Sequence, residues 1–220
     1  ALRVPILCTL SGEDLFVDAL PEPWRSRATD EIAARAADIA GFIALTRYYG
    51  AFATQRFRLP SERVHYVPMG VAQEEFARPA TERHAAVTTP ESFTIAYLAR
   101  ICPAKGLHHL VAAATELKRR GVPVRVRAAG WLGDSDRKYF ADIQRKVNAD
   151  GLGPAFEYLG EVDRAGKRAL LHSADVFSVP ADYAEAKGLS ILEALAAGLP
   201  VVQPAHGSNV EFIAATAGGL

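Results

Sequence analysis

Two glutamates eight positions apart, Glu185 and Glu193, are the residues whose type and spacing most clearly indicate a binding site. Pro180 precedes them, Gly188 stands between them, and Gly198 follows with a proline two residues later. A glycine followed by a proline is typical of a helix exit, so the pattern predicts a strand, a loop carrying Glu185 and a helix containing Glu193. The N-terminus of a helix favours anions through its free N–H groups and its dipole. Carboxylates on either side of such an anion site can accept hydrogen bonds from sugar hydroxyls.

Two basic residues follow an earlier predicted strand. Arg100 and Lys105, with Gly106 directly after, flank a short connection from the strand at 93–98 into a helix. Arginine offers a planar fork for phosphate oxygens, and lysine offers a compact point charge. Ligands of parallel sheets bind beyond the carboxyl ends of the strands, so we expect this pair to face the helix that begins at Gly188. Two solvated loop cations are the alternative, but the downstream glutamates favour a binding site.

Strands and helices alternate from residue 92 onward, which predicts a parallel, doubly wound sheet of the α/β class. Strands are expected at 93–98, 122–129, 155–159, 175–179 and 200–203, with helices at 106–120, 137–150, 164–172, 188–198 and 207–214. The first part shows only three strands, at 3–10, 41–45 and 64–67, with helices at 22–38 and 48–57. A polar, proline-flanked stretch joins the two parts and predicts a linker. The domains are therefore expected at 1–77 and 92–220, with the linker at 78–91.

The composition excludes several classes of protein. The chain has 220 residues, half of them hydrophobic, and its 25 basic and 25 acidic residues give a net charge of zero, which argues against a nucleic-acid partner. No apolar stretch approaches the length of a membrane span, although peripheral membrane contact stays open. The two cysteines, Cys8 and Cys102, lack metal-ligand spacing and predict reduced thiols in a cytoplasmic protein.

Two other polar groups are interpreted as structural. Asp134 and Asp136 stand where a helix begins, so they are expected to cap that helix. His108 and His109 lie inside a predicted helix without carboxylate partners, and they are interpreted as packing or surface residues. The sequence therefore offers no candidate metal site.

The two ends of the chain predict an incomplete protein. The chain starts with alanine just before a predicted strand and stops shortly after a predicted helix. We expect a piece of a longer polypeptide, in which the first domain and the C-terminal end are incomplete. An incomplete sheet leaves an unpaired edge, so we expect this piece to be catalytically inactive alone and to self-associate or to have a mobile first third.

The stretch from Pro180 to the sequence Glu-Ala-Leu-Ala-Ala-Gly-Leu-Pro-Val-Val, which begins at Glu193, resembles the sugar-nucleotide loop of retaining glycosyltransferases of the GT-B type, family four. Arg100, Lys105 and Gly106 match a basic motif of that family, although Ala99 replaces its usual glycine. The resemblance covers most of residues 60–213 and is weak before them.

The resemblance implies two Rossmann-like doubly wound domains and a hexosyltransferase-type activity. The enzyme would move a sugar from a nucleotide diphosphate donor to an acceptor with retention of configuration, without a metal ion or other cofactor. Arg100 and Lys105 would stabilise the leaving diphosphate, Glu193 would bind the ribose, and Glu185 would hold the donor sugar and face the reacting carbon. Gly106, Gly160, Gly188, Leu189 and Glu211 complete the donor-binding residues that the resemblance implies.

Several alternatives stay open from the sequence. The acceptor is an unidentified glycan, lipid or small molecule, and neither the base nor the sugar of the donor can be read from the residues. A sugar-nucleotide epimerase or a phosphorylase could use a related fold, but different acid–base or cofactor residues would be expected. A non-catalytic nucleotide-binding module is the alternative from another class, and binding without donor turnover would select it.

Overall fold

The computed structural model of the protein describes residues 4–78 and 92–220, which divide into two compact units. The first unit contains the described residues as far as Gly70, together with Ala184–Gly188 and His206–Ala215. The second contains the described residues from Val71 to Tyr183, together with Leu189–Ala205 and Thr216–Leu220. The units are thus not two consecutive stretches of sequence. Apart from Arg78, the linker expected at 78–91 lies outside the described residues, and the domain boundaries stay a prediction.

Strands and helices alternate along most of the described chain. In chain order the elements are β1 (Leu7–Leu10), α1 (Asp14–Asp18), α2 (Trp24–Arg35), β2 (Gly41–Ala44), α3 (Arg47–Phe57), β3 (Val64–Tyr66), α4 (Gln73–Phe76), β4 (Phe93–Leu98), α5 (Leu107–Arg119), β5 (Val124–Ala129), α6 (Arg137–Ala149), β6 (Phe156–Tyr158), α7 (Arg164–His172), β7 (Val176–Phe177), α8 (Leu189–Ala196) and α9 (Ser208–Thr216).

The first unit is built on three parallel strands in the order β1-β2-β3. Its core contains Phe42 of β2 and Tyr49 and Phe57 of α3, all almost inaccessible to solvent. Ala186 belongs to the same core, although it lies far along the chain. The segment that carries Glu185 is therefore anchored in the core of this unit by the residue that follows it.

The second unit has a four-stranded parallel sheet in the order β6-β5-β4-β7. Helix α5 buries Leu107, Leu110, Val111 and Ala114, which is the spacing of one helical face packed on a core. Because all four strands run parallel, their carboxyl ends meet at one edge of the sheet. The expected α/β class with parallel sheets is confirmed.

Most predicted elements are confirmed to within a few residues, and β4 and α7 have the predicted bounds. The strand expected at 200–203 is reduced to Val201, which makes isolated parallel bridges to Phe177 and Gly219. Helices α1 and α4 were not predicted, because five and four residues are too few to show a helical period. Across 4–78 and 92–220, no helix combines the length and apolar character that crossing a membrane requires.

The capping interpretation of Asp134 and Asp136 is wrong in its atomic detail. These residues form a short 3-10 turn before α6, and Asp136 makes no capping hydrogen bond with its side chain. Asp134 instead accepts a hydrogen bond from the Arg137 guanidinium at 2.7 Å. The acidic pair is thus part of a local turn on the surface.

Candidate functional site

The loop after β4 carries the two predicted cations, and the Tyr97 hydroxyl holds its backbone. The Tyr97 hydroxyl lies 3.2 Å from the Arg100 carbonyl oxygen and 3.3 Å from the Lys105 carbonyl oxygen. Burial raises the pKa of Tyr97, so its hydroxyl stays protonated and can donate to these carbonyls. Tyr97 was not among the predicted functional residues, and the available signal was a tyrosine hydroxyl near the end of a mostly apolar strand. This residue fixes both ends of the loop that presents Arg100 and Lys105.

The two cations differ in their surroundings. Arg100 is exposed, and a hydrogen bond to the Cys102 thiol is the main cause that raises the pKa of its guanidinium. Lys105 is half-buried, and its Nζ lies 4.9 Å from the centre of the Tyr183 ring, close enough for a cation–π contact. Both residues stand at the carboxyl edge of the sheet.

The backbone at Gly106 leaves no room for a side chain. Its φ is +71°, and a Cβ atom there would overlap the carbonyl oxygen of Pro180 in the segment after β7. A backbone amide of the same segment, that of Asp182, donates to the Ala104 carbonyl oxygen at 3.0 Å. The loop after β4 and the segment after β7 are thus joined directly, backbone to backbone.

The loops after β5 and β6 join the same edge. Gly130 has a φ of +148°, and a Cβ atom there would overlap the Ala99 carbonyl oxygen. The Gly130 amide donates to the Gly160 carbonyl oxygen at 2.8 Å. The structure therefore brings Gly160 to the edge at which Arg100, Lys105 and Gly106 lie.

Glu193 lies on α8 in an ion pair that the sequence did not predict. Its side chain is only 7% exposed, and its Oε1 accepts a hydrogen bond from Lys167 Nζ of α7 at 2.8 Å. Since α8 begins at Leu189, Glu193 lies about one turn inside the helix. Leu189 itself is 42% exposed. No spacing in the sequence links Lys167 to Glu193.

Replacing Lys167 by methionine should lower the free energy of unfolding by about 1.5–3 kcal/mol, because it leaves the buried Glu193 carboxylate without its charged partner. Urea-induced unfolding at neutral pH measures the change. Lys138→Met on α6 is the control, since Lys138 is exposed and its loss should change the free energy by less than about 0.5 kcal/mol. A double-mutant cycle with Glu193→Gln that shows no coupling between the two positions would contradict the stabilising role.

The first unit contains Glu185 on a tightly held backbone. The Ser208 amide at the start of α9 donates to the Glu185 carbonyl oxygen at 2.9 Å, and the buried Thr46 hydroxyl donates to the Ala186 carbonyl oxygen at 2.9 Å. Gly207 has a φ of +63°, and a Cβ atom there would lie 2.5 Å from the Glu185 nitrogen. Two hydrogen bonds and the close approach of Gly207 therefore fix the backbone from which the Glu185 side chain projects.

Glu211 makes contacts that the sequence did not predict. Its two carboxylate oxygens accept hydrogen bonds from the backbone amides of Arg47 and Tyr48, each at 3.1 Å. These amides open α3, so Glu211 supplies an acceptor for N–H groups that have no partner within the helix. The structure assigns Glu211 a capping role, and its donor-binding role stays a prediction.

The predicted site residues are thus distributed over both units. Glu185, Gly188 and Glu211 belong to the first, and Arg100, Lys105, Gly106, Gly160, Leu189 and Glu193 belong to the second. Gly188 is buried and has a φ of +63°, a conformation that favours glycine.

A groove of about 400 Å³ in the first unit contains none of these residues. It is lined by parts of β2, α3 and β3, among them Thr46, Arg47 and Tyr66. The Arg47 guanidinium lies 4.4 Å from the centre of the Tyr66 ring there. This groove therefore does not contribute to the candidate site.

The interpretation of His108 and His109 as a pair without a carboxylate partner is wrong. His109 Nε2 lies 2.7 Å from Asp182 Oδ1, and His108 Nδ1 lies 2.9 Å from the Tyr139 hydroxyl. Burial is the main cause that lowers the pKa of His108, and burial also raises the pKa of Tyr139 to about 12. Asp182 comes 73 positions after His109, so no local pattern in the sequence connects them.

Solved structures identify the class of fold. Sucrose-phosphate synthase from Thermosynechococcus elongatus matches with a TM-score of 0.78 and 21% identity, over 97% of this chain and 53% of that one. Anabaena Alr3699/HepE in complex with UDP-glucose matches with a TM-score of 0.76 and 18% identity, over 95% and 56%. At such identities the likeness shows the fold alone, which is that of GT-B glycosyltransferases.

The sequence match identifies the family. The profile of the family described as glycosyl transferases group 1 matches residues 80–220, and the chain belongs to this family. WcaL of Escherichia coli (strain K12), whose name connects it with colanic acid biosynthesis, is 31% identical over 172 residues, or 75% of this chain and 39% of WcaL. The chain thus spans about two fifths of WcaL and little more than half of the two solved structures.

Proposed function

We propose that the chain carries the donor site of a retaining glycosyltransferase, which transfers a sugar from a nucleoside diphosphate to an acceptor. The observation that carries the proposal is the loop after β4, where Tyr97 fixes the backbone that presents Arg100 and Lys105. The loop stands at the carboxyl edge of a parallel sheet, which is where such folds bind ligands. Membership of the glycosyl transferases group 1 family supports the reaction class, and the UDP-glucose named with HepE makes uridine diphosphate the first nucleotide to test.

In this proposal Arg100 and Lys105 bind the diphosphate and stabilise the charge that grows on it as the sugar leaves. Their two positive charges act in place of a metal ion at the diphosphate. Gly160 lets the backbone approach the nucleotide, because a Cβ atom there would meet nothing within 4 Å, and Gly106 lets the loop pack against the Pro180 carbonyl. Glu193 accepts hydrogen bonds from the ribose, and the hydrogen bond from Lys167 orients its carboxylate.

In the same proposal Glu185 accepts hydrogen bonds from the hydroxyls of the donor sugar and faces the reacting carbon, which becomes positively charged. Gly188 and Leu189 supply backbone amides at the start of α8, where a helix favours anions. For Glu211, whose carboxylate already accepts two backbone amides, a donor contact stays a prediction. The acceptor, the cytoplasmic location and a peripheral membrane contact stay predictions as well.

Arg100→Ala and Lys105→Ala should each weaken the binding of uridine diphosphate by about ten- to a hundredfold, because each removes a charged hydrogen bond of about 1.5–3 kcal/mol. Isothermal titration calorimetry with UDP, GDP and ADP measures the affinity and identifies the preferred base. Lys138→Ala is the matched control, since it removes one positive charge from an exposed helical position.

Two results would overturn the proposed donor site. One is a folded wild-type chain that binds none of the three nucleotides. The other is an equal loss of affinity at Lys138 and Lys105, which would reduce the effect to net charge. Binding without sugar transfer by the full-length protein would instead support a non-catalytic nucleotide-binding module.

A further inference from the structure

We propose that His108, His109 and Asp182 bind a divalent transition-metal ion of the zinc class. This site lies within the second unit and does not depend on the proposed glycosyl transfer. It departs from the sequence-based expectation that the chain has no metal site. The proposal rests on the positions of three side chains and on the backbone that holds them.

The three ligand atoms already lie close together. One ligand atom from each residue can be chosen so that all three lie within 4.8 Å of one another. Ligand atoms of a tetrahedral zinc site lie about 3.4 Å apart, given zinc–ligand distances of about 2.0–2.2 Å. The His109–Asp182 contact of 2.7 Å is a hydrogen bond that must open by less than one ångström to admit an ion. Small side-chain rotations are therefore enough to form the site.

The backbone around the three residues is preorganised. The histidines lie in the first turn of α5, directly after Gly106, whose close approach to the Pro180 carbonyl joins this turn to the segment that carries Asp182. The Asp182 amide also donates to the Ala104 carbonyl oxygen at 3.0 Å. The ligands thus come from two segments that the fold already holds together.

Neighbouring groups orient the histidine rings. The rings of His108 and His109 lie 3.9 Å apart, centre to centre, and the Tyr139 hydroxyl contacts His108 Nδ1 at 2.9 Å. A hydrogen bond at one ring nitrogen is the usual way in which a protein fixes a histidine ligand and leaves its other nitrogen for the metal. Tyr139 therefore stands where such an orienting partner is expected.

The ligand types favour zinc, copper or nickel over magnesium and calcium. Imidazole nitrogens suit these transition metals, whereas magnesium and calcium prefer oxygen ligands alone. The side chains of His109 and Asp182 are each 51% exposed, so an ion can enter from solvent. Three protein ligands leave a fourth tetrahedral position for water. The bound ion would clamp the start of α5 to the segment after β7, next to Lys105.

Zinc titration of the whole 220-residue chain, stripped with a chelator and free of any histidine tag, tests the proposal by calorimetry. We expect one zinc ion per chain, with His109→Asn and Asp182→Asn each weakening the affinity by at least about tenfold. His65→Asn is the control, because His65 is an exposed histidine on β3 of the first unit and should not affect zinc binding. Zinc should also raise the melting temperature of the wild type and of His65→Asn, but not of the other two variants, since a ligand stabilises the state that binds it.

A measurement on the wild type keeps the test independent of how the variants fold. Substoichiometric zinc should shift the imidazole nitrogen resonances of His108 and His109 in the NMR spectrum and leave those of His65 unchanged. No zinc binding, equal binding by all variants, or shifts confined to other histidines would each overturn the proposed site.

Discussion

Alanine at Gly106 is expected to abolish nucleoside diphosphate binding and to lower the free energy of unfolding by about 2–5 kcal/mol. The φ of +71° costs about 1–2 kcal/mol for any residue with a Cβ atom. The new atom would also overlap the Pro180 carbonyl oxygen, and overpacking costs about 1–3 kcal/mol or more. The neighbouring backbone must move to relieve this overlap, and Lys105 moves with it. Chemical unfolding and nucleotide calorimetry measure the two effects.

Gly121→Ala is the matched control for Gly106→Ala. Gly121 also has a positive φ, +78°, but a Cβ atom there would meet nothing within 4 Å. Its substitution should therefore cost only the backbone strain of about 1–2 kcal/mol and leave nucleotide binding unchanged. Equal losses of stability in the two variants would show that the close approach to Pro180 does not constrain the loop.

For Gly106, the sequence predicted the position in the fold but not the contact that requires a glycine there. The sequence placed this glycine correctly at the start of a helix, because glycine and the periodic apolar residues of α5 are local signals. The same kind of signal gave β4 and α7 their correct bounds. The physical reason for Gly106 lies at Pro180, far along the chain, and no local pattern contains it.

The contacts that support the candidate site were missed for the same reason. Lys167 pairs with Glu193 across 26 positions, and Glu211 caps α3 across 164 positions. A side chain that meets a distant partner has no characteristic spacing in the sequence, so only the folded structure brings the two together. Glu211 illustrates the consequence, since the sequence selected the residue but could not foresee that backbone amides occupy its carboxylate.

The assignment of residues to the two compact units could not be predicted from the sequence either. The segment Ala184–Gly188 was predicted to belong to the second domain, but Ala186 packs in the core of the first unit. The cause is a pair of long-range contacts, since Thr46 binds the Ala186 carbonyl and Ser208 binds the Glu185 carbonyl. Alternation of strands and helices predicts a sheet, but it does not predict which core a connecting loop joins.

The second large effect is expected at Glu185, where Glu185→Gln should lower the turnover of the full-length enzyme by about a hundredfold. In the proposed site the Glu185 carboxylate faces a carbon that becomes positively charged in the transition state. Glutamine removes the negative charge while keeping the size of the side chain. Steady-state kinetics with the preferred nucleotide sugar measure turnover, and calorimetry measures nucleotide affinity. The full-length protein is needed, because this chain spans only part of its relatives.

The held backbone at Glu185 allows the effect of charge to be separated from that of structure. Ser208 and Thr46 bind backbone carbonyls at Glu185 and Ala186, so the substitution leaves these contacts in place. We therefore expect nucleotide affinity to change little in Glu185→Gln, whereas Glu193→Gln should weaken nucleotide binding more than it slows turnover at saturating donor. Glu62→Gln, at an exposed position of the first unit, is the control for the loss of one negative charge and should change neither quantity. If both Glu185→Gln and Glu193→Gln weaken nucleotide binding alike and leave turnover intact, Glu185 does not face the reacting carbon.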